Sequence, residues 1–135
     1  MGITTIVRDV MTSEVISLET TASVKEAIEL MVKNTIGSVI VTKSGKPVGI
    51  VTERDIMKNV CPRELCSRGI EVGKIMSSPL FSVRPSAKLG EAALLMTEKD
   101  VRRLLVEEEG KAVGIVTQKD LIKGTLDLFM ALAMV

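Results

Sequence analysis

The chain predicts an α+β fold built from two copies of one small unit, each a little β-sheet packed with two helices, and three observations predict it. Sliding the sequence along itself by 65 residues aligns residues 11–56 with 76–121 without a gap, and 17 of 46 positions are identical. Within each copy the hydrophobic period switches between alternation and helical spacing, so strands and helices share the unit. The apolar share of 46% comes almost wholly from Val, Ile, Leu, Met and Ala, with 2 Phe and no Trp or Tyr, which suits thin aliphatic layers. A hairpin with two helices is marginal alone, so the copies are expected to pack sheet face on sheet face about a pseudo-twofold axis.

The elements follow in order. Each copy opens with a short extended segment. In the first copy Val24, Ala27, Ile28, Leu30 and Met31 recur at helical spacing behind Ser23, which with Glu26 makes a capping-box pattern. Leu89, Ala92, Ala93, Leu95 and Met96 repeat that stripe. A hairpin comes next: Ser38-Val39-Ile40-Val41, a turn at Lys43-Ser44-Gly45-Lys46, then Pro47-Val48-Gly49-Ile50-Val51, with Glu108-Glu109-Gly110-Lys111 as the matching turn. Second helices are expected from Thr52 and from Thr117. The reading divides the chain into repeat one at 1–60, a linker at 61–73 in which Pro62-Arg63-Glu64-Leu65 can hold a helical turn, repeat two at 74–124, and an apolar, helical tail at 125–135.

Charge and composition exclude several functions. Lys+Arg 18 against Asp+Glu 17 leaves no electrostatic footprint for nucleic acid. The absence of histidine removes the commonest general base and the commonest zinc ligand, so no catalytic residue and no metal site is assigned. Cys61 and Cys66 lack further Cys or His to complete a zinc site and read as incidental thiols, with a disulfide between them left open. Glu107-Glu108-Glu109 reads as a solvated hairpin tip rather than a cation chelate. The methionines fall mainly at apolar positions and read as core. The first residues show no secretory or myristoylation pattern, and the apolar tail is about half a membrane span, so a cytoplasmic protein without membrane contact is expected.

One motif carries chemistry, and it occurs twice. Gly49-Ile50-Val51-Thr52-Glu53-Arg54-Asp55 returns as Gly114-Ile115-Val116-Thr117-Gln118-Lys119-Asp120. A strand that ends in Thr and opens a helix leaves backbone N–H groups free for a phosphate, and a carboxylate three residues on can accept from the two vicinal hydroxyls of a ribose. The same Thr-x-x-Asp is also a capping box, in which the hydroxyl and the carboxylate merely satisfy the helix start. Both readings stand at this point.

The repeat length, the tandem pairing and both Gly-hydrophobic-x-Thr-x-x-Asp motifs resemble the CBS domain family, over about residues 8–124. The resemblance implies a regulatory module, commonly dimeric, with two clefts that hold AMP, ADP, ATP or S-adenosyl compounds. Each cleft would take Thr and Asp from one repeat and base-facing residues from the other. By position, one would combine Thr117 and Asp120 with Val15, Ile16, Ile36, Gly37 and Ser38. The other would combine Thr52 and Asp55 with Leu80, Phe81, Val101 and Arg102, Phe81 being available for stacking. Arg102 and Arg103 replace Gly37 and Ser38, and read either as a phosphate fork or as solvated strand-edge arginines.

The expected function is therefore an adenosyl-ligand sensor that needs no cofactor, forms a homodimer and acts on a protein target the sequence does not identify. Its rival is an interaction scaffold that dimerises through helix faces and the tail, with vestigial clefts. An enzyme needs a nucleophile and a tuned base that this chain does not assemble.

Overall fold

The computed structural model describes residues 6–59 and 69–134. The expected helical turn at Pro62–Leu65 and both cysteines lie outside the described residues. Two compact units partition the chain: Ile16–Leu80, and Met1–Val15 together with Phe81–Val135. They are called the first and second unit.

In the first unit β1 (Ser17–Glu19) leads into α1 (Val24–Asn34), then β2 (Ser38–Lys43), β3 (Lys46–Thr52) and α2 (Glu53–Asn59). The sheet order is β1-β2-β3, with β1 parallel to β2 and β2 antiparallel to β3. The second unit repeats this with β4 (Ser82–Val83), α3 (Leu89–Lys99), β5 (Arg103–Glu108), β6 (Lys111–Thr117) and α4 (Gln118–Ala133). This is the predicted α+β layout of two small mixed sheets with helices. Each unit has its own aliphatic core. Val24, Ala27, Met31, Val39, Val41, Val51, Ile56 and Val72 form one, and Val7, Ala87, Leu89, Ala92, Met96, Leu104, Val106, Val116 and Leu121 the other.

Local chemistry explains the boundaries. Ser23 Oγ accepts the Glu26 amide at 3.1 Å and starts α1. The matching residue at the head of α3 is Lys88, which makes no side-chain cap. Both helices end on a non-glycine residue in the left-handed region, Thr35 at φ 53° and Asp100 at φ 53°. Each hairpin turns on two residues of positive φ, Ser44 with Gly45 and Glu109 with Gly110, which is the signature of a type I′ turn whose twist matches the strands. Glu109 alone of the acidic triplet lies in that turn; Glu107 and Glu108 end β5, and Glu108 pairs with Arg8 at 3.2 Å.

The lead-in segments carry the least obvious structure. A 3₁₀ turn at Val7–Asp9 sits in the second unit, where the Val7 amide donates to Ala87 O at 2.8 Å and Thr12 exchanges two backbone hydrogen bonds with Ile115. In the first unit the turn at Val72–Lys74 does the same: Val72 N donates to Ala22 O at 2.8 Å, and Ser77 exchanges with Ile50. Each unit thus takes its lead-in from the stretch of sequence that precedes the other repeat's first strand. No helix among the described residues is long and apolar enough to cross a membrane.

Candidate functional site

The two Gly-hydrophobic-hydrophobic-Thr-x-x-Asp motifs each span a strand end and a helix start. The glycine is needed because the lead-in segment lies on top of it. A Cβ on Gly49 would stand 2.6 Å from Met76 Sδ and 2.9 Å from Ser77 O, and one on Gly114 would stand 2.7 Å from Met11 Sδ and 2.9 Å from Thr12 O. Only a hydrogen fits there. The motif glycine and the Met-Thr or Met-Ser pair that opens each repeat are therefore one packing feature, which sequence reading missed. Its signal was present in the alignment of Met11-Thr12 with Met76-Ser77.

At the strand end the Thr and Asp close a reciprocal cap. Asp120 N donates to Thr117 Oγ1 at 3.1 Å while Thr117 N donates to Asp120 Oδ2 at 2.9 Å. Asp55 N donates to Thr52 Oγ1 at 3.2 Å while Thr52 N donates to Asp55 Oδ2 at 2.9 Å. The capping reading is thus realised in both units, and it uses one carboxylate oxygen of each Asp. In the first unit the other oxygen accepts Ser77 Oγ at 2.9 Å. In the second unit Asp120 Oδ1 has no partner among the described residues. Thr52, Asp55, Thr117 and Asp120 are all half-buried.

The hairpin entries are tied to these junctions unit by unit. Ser38 is in register with Thr52, and Gly37 O accepts the Glu53 amide at 3.1 Å. Arg103 is in register with Thr117, and Arg102 O accepts the Gln118 amide at 2.8 Å. Neither arginine has a carboxylate partner among the described residues. Arg102 is exposed and Arg103 half-buried. Ile16, whose carbonyl accepts Ile40 N at 3.0 Å, and Ile36 pack against the first core. Val15 and Leu80 are half-buried at the unit boundaries. Phe81 packs against the second core, and Lys99 Nζ stands 5.4 Å from its ring centroid, so a cation already occupies one face of that ring. Sequence reading did not single out Lys99, whose counterpart is the uncharged Asn34.

Two grooves lie on the helical sides of the units. One of about 580 Å³ is lined by Met31, Val32, Ile36, Gly37, Ile56 and Met57 in the first unit. One of about 740 Å³ is lined by Met96, Val101, Arg102, Leu121, Leu126 and Phe129 in the second. Of the predicted site residues, Ile36, Gly37, Val101 and Arg102 line these grooves; the Thr and Asp of the motifs do not. No group of three or more His, Cys, Asp or Glu among the described residues is arranged to hold a metal.

Comparison with known proteins gives the family. The CBS domain profile matches residues 7–61 and again 72–127, and the chain belongs to the CBS domain family, carrying the domain twice. An uncharacterised protein of Methanopyrus kandleri is 35% identical over 119 residues, which is 87% of this chain and 61% of that protein; the chain thus spans about three fifths of that relative's length. The crystal structure of a CBS-domain containing protein from Agrobacterium tumefaciens superposes with a TM-score of 0.83 at 28% identity, covering 93% of this chain and 96% of that one. A CBS domain pair crystallised with 5′-methylthioadenosine and S-adenosyl-L-methionine shares the fold, with a TM-score of 0.76 at 23% identity over 87% of this chain and 93% of that one.

Proposed function

We propose that the chain is a regulatory binding module for an adenosyl ligand, an adenine nucleotide or an S-adenosyl compound, and that it performs no catalysis. The observation that carries the reading is the doubled Thr–Asp junction, in which capping occupies one carboxylate oxygen; the other has no partner among the described residues at Asp120 and accepts Ser77 Oγ at Asp55. The first and third amides of each helix are already used, and the Thr117 hydroxyl, whose proton has no acceptor among the described residues, is a donor for a phosphate or for the carboxylate of an S-adenosyl compound's amino-acid tail. Arg102 and Arg103, without carboxylate partners among the described residues, add cationic donors for the same anions. The base-side residues assigned by resemblance, from the lead-in segments and hairpin entries, belong to this proposal. Family membership supports it, as does the related pair crystallised with two adenosyl compounds. Signalling would proceed by a ligand's differential affinity for two states of the module.

The test is a thermal-shift screen against AMP, ADP, ATP, S-adenosylmethionine, methylthioadenosine and NAD, since a ligand of the native state raises the melting temperature. A selective rise that disappears in the Asp55→Ala, Asp120→Ala double variant is expected. No rise with any compound sinks the reading.

A second reading has its own observation. Ile122, Leu126, Phe129 and Met130 leave α4 exposed along an apolar stripe, with Phe129 67% accessible. A homodimer covering that stripe is the arrangement we propose for the assembled protein, whether or not the junctions bind ligand. Deleting residues 125–135 should lower the sedimentation coefficient from dimer to monomer; an unchanged profile contradicts it.

A further inference from the structure

The two strand–helix junctions have the same residues and different wiring. In the first unit both polar groups are committed: Asp55 Oδ1 accepts Ser77 Oγ at 2.9 Å, and Thr52 Oγ1 donates to Asp55 Oδ2 at 3.1 Å. In the second unit neither interaction has a counterpart among the described residues; Asp120 Oδ1 is open, and the Thr117 hydroxyl accepts the Asp120 amide while its own proton is unspent. The difference starts on the lead-in segment. Ser77 and Thr12 hold matching places, each one residue past the methionine that lies on the motif glycine, and each exchanges backbone hydrogen bonds with its unit's β-hairpin. Only the Ser77 hydroxyl is seated on a carboxylate.

We infer that the two junctions bind a vicinal diol unequally, that Thr117–Asp120 is the tighter, and that Ser77 sets the difference. The inference rests on the adenosyl-ligand reading above. A carboxylate grips two adjacent hydroxyls through outward lone pairs on its oxygens. At Asp120 one oxygen has no partner among the described residues, and the neighbouring hydroxyl proton can turn to the ligand. At Asp55 a ribose must first displace Ser77, and the exchange of one charge-assisted hydrogen bond for another gains little. Losing the net value of one such bond lowers affinity about tenfold. Ser77 is thus an internal competitor: its hydroxyl imitates the ligand's. A module with one strong and one weak site responds first at low ligand and again at higher ligand, which suits a graded sensor.

The experiment is a calorimetric titration of the full chain with AMP and, separately, with S-adenosylmethionine. The wild type should show two binding events about tenfold apart in Kd, equivalent to about 1.4 kcal/mol, or a single event that becomes two in Ser77→Ala. Ser77 is exposed, so Ser77→Ala keeps the fold and should bring the weaker event within about threefold of the tighter one, leaving the latter unmoved. Thr12→Ala should shift neither. Asp120→Asn should abolish the tighter event and Asp55→Asn the weaker. Should Ser77→Ala leave the weaker event where it was, or Asp55→Asn remove the tighter, the inference falls while ligand binding stands. A cooperatively melting wild type that gives no heat with either probe overturns the ligand reading itself, and this inference with it.

Discussion

Residues 49 and 114 show how little room a single position leaves. A methyl group at either would meet a backbone carbonyl at 2.9 Å as well as a thioether, and the carbonyl cannot swing away because Ser77 and Thr12 are hydrogen-bonded to the strand on both sides. Gly114→Ala should therefore cost about 1–3 kcal/mol through overpacking, read by denaturant unfolding, whereas Gly90→Ala, in open space within α3, should stabilise the chain. An acidic residue gives the pH prediction. The Thr42 hydroxyl, with the Ser44 amide at 3.0 Å, holds the Glu19 carboxyl below its ordinary value. A depressed carboxyl contributes stability above the unfolded-state value and loses it as pH falls through the lower folded one. The Ser44 amide should thus shift in acid NMR titrations below the usual carboxylate range, and the Glu19→Gln variant should lack that step. Repeat two has Arg84 at the matching place and should show nothing there. The sequence disclosed the Thr–Asp pairs but could not choose between cap and ligand site, because the same hydroxyl and carboxylate serve both.

Helices and turns were legible because their signals are local. Ser23 three residues before Glu26, the period of Val24, Ala27 and Met31, and a Gly at each hairpin tip all act within a few residues. Helix C-termini were not legible. Thr35 and Asp100 sit in the left-handed region at φ 53° with no glycine to announce them, since the stop is imposed by the strand that follows. A β-branched residue is strained there, so Thr35→Gly should raise stability by about 0.5–1 kcal/mol in spite of the entropy a glycine adds to the unfolded chain. A melting temperature that falls would show that the threonine is held by something other than the cap. At the other end, Thr117→Ala removes the side-chain cap of the 16-residue α4 and should cost about 0.5–2 kcal/mol, seen as a lower melting temperature without ligand. If it also weakens nucleotide binding, both readings of the motif hold at once.

At the scale of the whole chain, the repeat and the folding unit are different objects. Residues 6–15 belong with Phe81–Val135, and Val7, with no exposed surface, is part of that unit's core. Removing residues 1–12 should accordingly destabilise the second unit: amide hydrogen exchange should accelerate in β5, β6 and α3 while β2 and β3 keep their protection. Equal acceleration in both sheets would mean that the units do not open separately. The alignment, which begins at Met11, gives no sign that Val7 belongs to a core.

What the sequence determined alone was whatever repeats or alternates: two copies, their α+β order, the hairpins and where they turn, the doubled motif and the family those features define. Periodicity and turn chemistry depend on neighbours a few residues apart, so one chain read once is enough. Tertiary structure decided the rest. That the lead-in of one repeat lies on the glycine of the other's hairpin, that Lys99 stands over Phe81, and that Ser77 reaches Asp55 are contacts between residues 18 to 103 positions apart. Their distances follow from how the strands and helices pack, and matching residue types in the two repeats do not reveal them.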